Sequence, residues 1–174
     1  MLVVSALGDN SAGVVRNLTK VVLDCGGNIM ESRMAALGSD FAMLLLVSGN
    51  WHTMNRLEQD LAKHAETDGL VMQLKRTEPR KVGKELLPYA VDVVGLDQPG
   101  IVNNMSSFFA ARFVEIGDVT TRTYQASTTG TPMFSVQMLI NIPASVHISG
   151  LREEFMEFCD QLNVDAIIEP VKHA

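Results

Sequence analysis

The chain has 174 residues, of which 47% are hydrophobic and 20% are charged. This length lies between one domain and two small ones, and such a chain needs neither a metal nor a disulfide to fold. The net charge of −6 is uneven, because residues 1–76 carry −1 while residues 88–174 carry −6. A protein that binds nucleic-acid phosphates needs clustered Lys and Arg, so this balance argues against direct binding to DNA or RNA.

The first predicted elements are a strand and a helix that return later in the chain. Val4–Gly8 predicts a short buried strand, and an amphipathic helix follows Gly13. The same pattern returns 87 residues later with Val91–Gly95 and Gly100. In both helices the apolar residues follow helical spacing. These stripes are Val14, Leu18, Val21, Val22 and Cys25 in the first helix, and Ile101, Met105, Phe108 and Phe109 in the second.

The remaining elements of each half also repeat. A second strand is predicted over Asn28–Leu37 and Glu115–Gln125, and a third over Phe41–Val47 and Met133–Ile142. A longer turn at Ser127–Pro132 changes the offset between the halves from 87 to about 93. Each half then ends with a second helix and a fourth strand. The helical stripes are Met54, Leu57, Leu61 and His64, and Ile148, Leu151, Phe155 and Phe158; the strands are Leu70–Leu74 and Val164–Ile168.

A repeated βαββαβ unit predicts the α+β class. Each unit is expected to be ferredoxin-like, with a four-stranded antiparallel sheet and two helices on one face. We predict domains at residues 1–76 and 88–174, joined by a polar linker over 77–87 that contains Pro and Gly. The alternative is a single α/β domain whose elements happen to alternate. Open sheet faces and edges would allow the units, or two chains of a homodimer, to pair.

The loops between the first strand and first helix of each unit are the candidate binding sites. A helix N-terminus offers N–H groups and partial positive charge to a carboxylate, and Gly13 and Gly100 would let the backbone approach a ligand. Asp97 could accept a hydrogen bond from an ammonium group, Asn10 could do so without a charge, and Pro99 suits a first helical turn. The candidate ligand-binding residues are Asn10, Ser11, Gly13, Asp97, Gln98, Pro99, Gly100 and Ile101.

A simpler interpretation of these loops is structural. Ser11, Asp97 or Gln98 would then only cap a helix, and the glycines would only turn the chain. Both interpretations stay open at the level of the sequence.

The sequence gives no sign of catalysis. It contains no G-x-S-x-G, H-E-x-x-H or phosphate-loop motif, and its histidines and cysteines lack metal-ligand spacing. We therefore expect no enzymatic activity, no cofactor and no metal. Cys25 and Cys159 lie in apolar helical patterns, as buried cysteines of a reducing compartment do. No basic leader follows Met1 and no apolar run approaches 18 residues, so a cytoplasmic protein without membrane contact is expected.

The segment Gly95-Leu96-Asp97-Gln98-Pro99-Gly100-Ile101, between strand and helix of a βαββαβ unit, resembles the signature of ACT domains. These regulatory modules usually bind amino acids. The tandem arrangement over essentially the whole chain resembles the glycine cleavage system transcriptional repressor family, and Gly8–Gly13 and Gly26–Ile29 fit it in the first half. The halves depart from each other at Ala12 and Pro99, at Asn10 and Asp97, and at Gly27-Asn28 and Val114-Glu115. Two sites of different affinity, or one vestigial site, are therefore expected.

The resemblance implies a repressor that binds a LysR-type activator rather than operator DNA and that is tuned by glycine. Two other functions remain open. The chain could be a free-standing ACT sensor subunit that controls a metabolic enzyme, or a structural dimerisation module.

Overall fold

The computed structural model describes residues 1–79 and 86–171, and the chain divides into two compact units, Met1–Lys81 and Val82–Ala174. The first unit has the predicted order βαββαβ. Its elements are β1 (Leu2–Asp9), α1 (Val14–Asp24), β2 (Asn28–Leu37), β3 (Asp40–Ser48), α2 (Trp51–Asp68) and β4 (Val71–Arg76).

The second unit repeats this order. Its elements are β5 (Leu86–Leu96), α3 (Ile101–Ala110), β6 (Glu115–Gln125), β7 (Pro132–Pro143), α4 (Ile148–Gln161) and β8 (Val164–Pro170).

Each unit contains one antiparallel sheet of four strands. The strand orders are β2-β3-β1-β4 and β6-β7-β5-β8, which are equivalent. The predicted α+β class and the doubled ferredoxin-like fold are confirmed, and the alternative of a single α/β domain is wrong. Residues 80–85 of the predicted linker lie outside the described residues, and its last two residues, Leu86 and Leu87, pair with β7.

The core of the first unit lies between the sheet and its two helices. Buried residues alternate along β1, where Leu2, Val4 and Ala6 face the helices. Helix α1 buries its predicted stripe against this face, with Leu18 fully buried and Val21 only partly buried. The apolar pattern of the sequence therefore correctly predicts which face of the sheet the helices cover.

The second core is built in the same way but is richer in aromatic side chains. Phe109 packs against Phe108 with ring centroids 5.4 Å apart and against Phe155 at 5.1 Å. Such contacts between rings contribute about 0.5–1.5 kcal/mol beyond the area they bury. All four residues of the predicted α3 stripe are buried.

The repeat extends to an irregularity in the sheets. Between Ile29 and Glu31 the pairing of β2 with β3 shifts by one residue, and β6 shifts against β7 between Ile116 and Asp118. The extra residues are Met30 and Gly117, which are 87 positions apart. An extra residue of this kind is a β-bulge, which bends the strand and redirects its side chains. Both units thus share one detailed backbone plan.

Candidate functional site

The two candidate loops have the same backbone. Each is four residues long, from Asn10 to Gly13 after β1 and from Asp97 to Gly100 after β5. Both glycines are the N-cap residues of their helices and lie in the left-handed region, with φ of 100° and 92°. An L side chain is disfavoured in that region, so glycine is required by the conformation itself.

Glycine is also needed where the strands reach the loops. A Cβ on Gly8 would lie 2.5 Å from Cδ2 of Leu70, and a Cβ on Gly95 would lie 2.6 Å from Cγ1 of Val164. Both distances are too short for a real side chain, because packed carbon atoms sit about 3.5–4.0 Å apart. In each unit a side chain at or just before the start of the last strand therefore occupies the space that a side chain at the end of the first strand would need.

One backbone hydrogen bond holds each loop from the other side. The Asn10 N–H donates to the Ser39 carbonyl at 3.2 Å, and the Asp97 N–H donates to the Pro132 carbonyl at 3.1 Å. Ser39 lies in the turn before β3, and Pro132 is the first residue of β7. Each loop is thus joined by its backbone to the start of the third strand.

The structure contradicts the capping interpretation of these loops. Neither helix has a side-chain cap, and the Gln98 amide instead donates to the Leu162 carbonyl at 3.0 Å. The placement of Pro99 in the first helical turn is also wrong. Because Gly100 is the N-cap, α3 begins at Ile101 and Pro99 precedes it in a turn.

The predicted site residues divide into exposed and buried groups. Ile101 is only 3% exposed and packs in the core, so it can offer a ligand its backbone alone. Gly13 is partly exposed. The remaining predicted residues are exposed, so their polar groups are accessible from solvent: Asn10, Ser11, Asp97, Gln98, Pro99 and Gly100.

Arg16 is a candidate site residue that the sequence analysis missed. Its Nη2 lies 3.6 Å from the point that a Cβ on Gly13 would occupy, and it donates to Oδ1 of Asn17 at 3.2 Å. A cation in the first turn opposes the helix dipole, and that unfavourable position was the signal available in the sequence. At the second loop, Nδ2 of Asn104 lies 3.9 Å from the equivalent point on Gly100.

The arrangement is suited to a small zwitterion. First-turn N–H groups of a helix lack intrahelical acceptors, and at the first loop the Arg16 guanidinium adds charge for a carboxylate. Asp97 at the second loop and Asn10 at the first supply oxygen acceptors suited to an ammonium group. Each strand-to-helix loop therefore contains donors suited to a carboxylate and an acceptor suited to an ammonium group.

The chain's thiols are poor nucleophiles. Cys25 and Cys159 are free and buried. Burial, together with the nearby Asp160 carboxylate, raises the pKa of the Cys159 thiol to about 11. Burial also raises the pKa of Cys25, and Asp60, which accepts a hydrogen bond from its thiol, acts in the same direction. Both thiols are therefore protonated at neutral pH, whereas nucleophilic attack needs the thiolate.

Residues 1–79 and 86–171 contain neither a candidate metal site nor a candidate membrane-spanning helix. Within them no three His, Cys, Asp or Glu side chains are grouped so that they could hold a metal ion. Within the same ranges no helix has the length and apolar character needed to cross a membrane.

Comparison with known proteins identifies relatives of the chain. A family model described as the ACT domain matches residues 1–75. The glycine cleavage system transcriptional repressor of Escherichia coli (strain K12) is 31% identical over 174 residues, which cover 99% of this chain and 91% of that protein. The UPF0237 protein MK1213 of Methanopyrus kandleri is 34% identical over 80 residues, covering 45% of this chain and 82% of the relative.

Two solved structures share the fold over nearly the whole chain. The crystal structure of a candidate glycine cleavage system transcriptional repressor matches with a TM-score of 0.75 and 26% identity, covering 99% of this chain and 97% of that one. An unknown protein from Galdieria sulphuraria matches with a TM-score of 0.78 and 25% identity, covering 98% of each chain. From the full-length identity and the doubled fold, the chain belongs to the family of glycine cleavage system transcriptional repressors and is a regulatory protein built from two ACT domains.

Proposed function

We propose that the chain is a non-enzymatic repressor of the glycine cleavage system that acts by binding a LysR-type activator. An amino acid, with glycine as the first candidate, binds at the strand-to-helix loops and tunes that contact. The observation that carries the proposal is the 31% identity to a named repressor along 99% of the chain. A relationship of that extent leaves little of the chain for a separate catalytic domain.

The charge of the chain favours a protein partner over DNA. The second unit's residues 88–174 hold four basic and ten acidic side chains. Its helix α4 alone carries Glu153, Glu154, Glu157 and Asp160, all exposed. Such a surface repels the phosphate backbone, whose neutralisation by Lys and Arg supplies most of non-specific DNA affinity. Repression through another protein needs no such contact.

The loops supply the ligand side of the proposal. In this proposal Asp97 receives the ammonium group at the second loop, and the N–H groups that open α3 receive the carboxylate. At the first loop, Asn10 receives the ammonium group and Arg16 receives the carboxylate.

The test is a gel-shift experiment with three purified components. These are this chain, the LysR-type activator of the same organism's glycine cleavage genes, and a labelled promoter fragment. We expect the chain alone to leave the DNA unshifted and to shift the activator–promoter complex further, with a dependence on glycine. A shift of the bare DNA, or no effect on the activator complex with or without glycine, contradicts the proposal. If a metabolic enzyme's activity responds to the chain instead, the sensor-subunit alternative is favoured.

A further inference from the structure

One turn of the second unit keeps the shared backbone but contains a residue type that is unusual for it. After α1, Gly26 lies in the left-handed region with φ of 77°, and the N–H of Gly27 donates to the Val22 carbonyl at 2.9 Å. After α3 the same turn is made by Phe113, with φ of 56°, and Val114 donates to the Phe109 carbonyl at 3.1 Å. The two helix ends are thus built alike, but a bulky aromatic residue stands where the other unit has glycine.

Phe113 is unfavourable in two independent ways. A residue with a Cβ loses roughly 1–2 kcal/mol in the left-handed region, and bulky residues are rare there. Its side chain is also 85% exposed, so it gains almost nothing from burial. Glycine, as found at position 26, would remove both disadvantages. A residue that costs stability in the free protein and contributes nothing to its core is a candidate contact residue.

The residues near Phe113 could form the rest of a contact surface. The neighbouring Arg112 lies over the Phe108 ring at 3.7 Å and forms an ion pair with Glu154 at 2.8 Å. This places the turn beside the acidic side of α4. A cleft of about 420 Å³ opens between α3 and α4, and it is lined by Ser107, Phe108, Ala111, Arg112, Glu154, Glu157, Phe158 and Gln161.

We propose that Phe113 is the anchor of a docking surface for a protein whose apolar pocket is ringed by Lys and Arg. The surface consists of Phe113, the cleft between α3 and α4, and the acidic side of α4. This inference rests on the proposed function, since it locates the contact with the activator. A single protruding aromatic side chain that fills a pocket is the usual form of an interface hot spot.

Charge complementarity selects this partner. The exposed side of α4 carries Glu153, Glu154, Glu157 and Asp160 against Arg152, and the nearby Arg112 is already paired with Glu154. The net charge of this surface is therefore negative, and it is expected to steer a basic protein surface toward Phe113. An anionic membrane or a nucleic acid would be repelled by the same charges.

The test compares Phe113→Gly with two matched controls. Asn163 is the other non-glycine residue with positive φ among the described residues, at 53°, and its counterpart in the first unit is Gly69. Asn163→Gly therefore repeats the change of backbone preference without removing an aromatic ring. Leu23→Ala removes a 73% exposed apolar side chain from the first unit, where no docking is proposed. Binding to the purified activator is measured by calorimetry, and Tm by differential scanning.

We expect Phe113→Gly to raise Tm while weakening activator binding by at least about tenfold, and both controls to bind as the unchanged chain does. A higher Tm shows that the variant is folded, so the loss of binding cannot come from misfolding. Glu157→Gln is expected to lower the association rate and its dependence on salt.

The possible failures are distinguishable. If the unchanged chain binds the activator and Phe113→Gly binds equally well, the docking surface is overturned and the proposed function stands. If the unchanged chain does not bind the activator at all, both are overturned. If Phe113→Gly instead abolishes a concentration-dependent dimer seen by sedimentation, the occupant is a second copy of this chain and the proposed partner is wrong.

Discussion

Asp97 and Asn10 occupy the same place in the two loops, one with a carboxylate and the other with an amide. A carboxylate that accepts a hydrogen bond from an ammonium group contributes about 1.5–3 kcal/mol, more than a neutral acceptor does. If the loops bind an amino acid as proposed, this difference gives the second loop the stronger acceptor for its amino group.

We predict that Asp97→Ala weakens glycine binding at the second loop by at least about tenfold without lowering Tm, because the side chain is exposed and caps no helix. Isothermal calorimetry measures the affinity. Asp97→Asn, which copies the first loop, is expected to give an intermediate loss. Unchanged affinity in Asp97→Ala would show that the ligand binds elsewhere.

Cys159 gives the protein a pH dependence with a definite sign. Its folded-state pKa is raised from the ordinary 9.0 to about 11, so its stabilising contribution is complete below pH 9 and is lost as pH rises toward 11. The expected loss in the free energy of unfolding is about 2 kcal/mol. Urea unfolding at several pH values, with Cys159→Ala subtracted to remove the titration of Tyr and Lys, measures it. Parallel curves for the two proteins would contradict the prediction.

The sequence allowed some residue roles to be predicted and not others. The glycines of both loops were predictable because they recur at one spacing before two matching helical stripes. Phe113 was not, because its significance depends on a left-handed φ. For Arg16 the sequence shows a cation in the first helical turn but not that its side chain folds back toward Gly13. The absence of side-chain caps at α1 and α3 also depends on geometry, since Ser11 and Asp97 are ordinary capping residues. The ligand-binding roles themselves remain predictions.

At the scale of elements, the observed strand bounds agree with the predicted ones in some places and differ in others. Strand β5 extends from Leu86 to Leu96, so Pro88 lies within it, and Tyr89 is paired with Pro170 of β8. Pro88 pairs with Asn141 of β7, and its carbonyl accepts a hydrogen bond from the Val171 N–H at 3.0 Å. From the sequence, the second domain is predicted to start at Pro88 because the stretch before it is polar and contains Pro and Gly. In contrast, β2 and β6 match their predicted bounds, because glycine or polar turns flank them.

We predict that Gly95→Ala lowers the free energy of unfolding by about 1–3 kcal/mol, because its Cβ would lie 2.6 Å from Val164, which is buried. Gly150→Ala is the control. Gly150 lies in α4 with no atom within 4 Å of a built Cβ, so alanine there should stabilise the protein by about 0.5–1 kcal/mol. Urea unfolding measures whether the free energy of unfolding falls in Gly95→Ala and rises in Gly150→Ala. A neutral Gly95→Ala would mean that β8 moves freely at Val164.

At the scale of the whole molecule, each unit has a core of its own. One core cluster contains residues between Leu2 and Leu74, and the other contains residues between Tyr89 and Ile168. A domain with its own core and sheet is expected to fold alone. We therefore propose that residues 1–76 and 88–174 are independent domains joined by 77–87.

The corresponding prediction concerns two fragments, residues 1–79 and 86–174, each of which retains all four strands of its sheet. We expect each fragment to be monomeric or self-associated but folded, with a cooperative thermal transition followed by circular dichroism. A fragment that melts without a transition, while the full chain melts cooperatively, would contradict independent folding.

The bulges at Met30 and Gly117 bear on the history of the chain. An inserted residue reverses the alternation of every side chain beyond it, so such an insertion is rarely neutral. Its presence at one register in both units is most simply explained by a single event in an ancestral gene that later doubled. The left-handed turn after the first helix is likewise common to both units, although Phe113 makes it in one and Gly26 in the other.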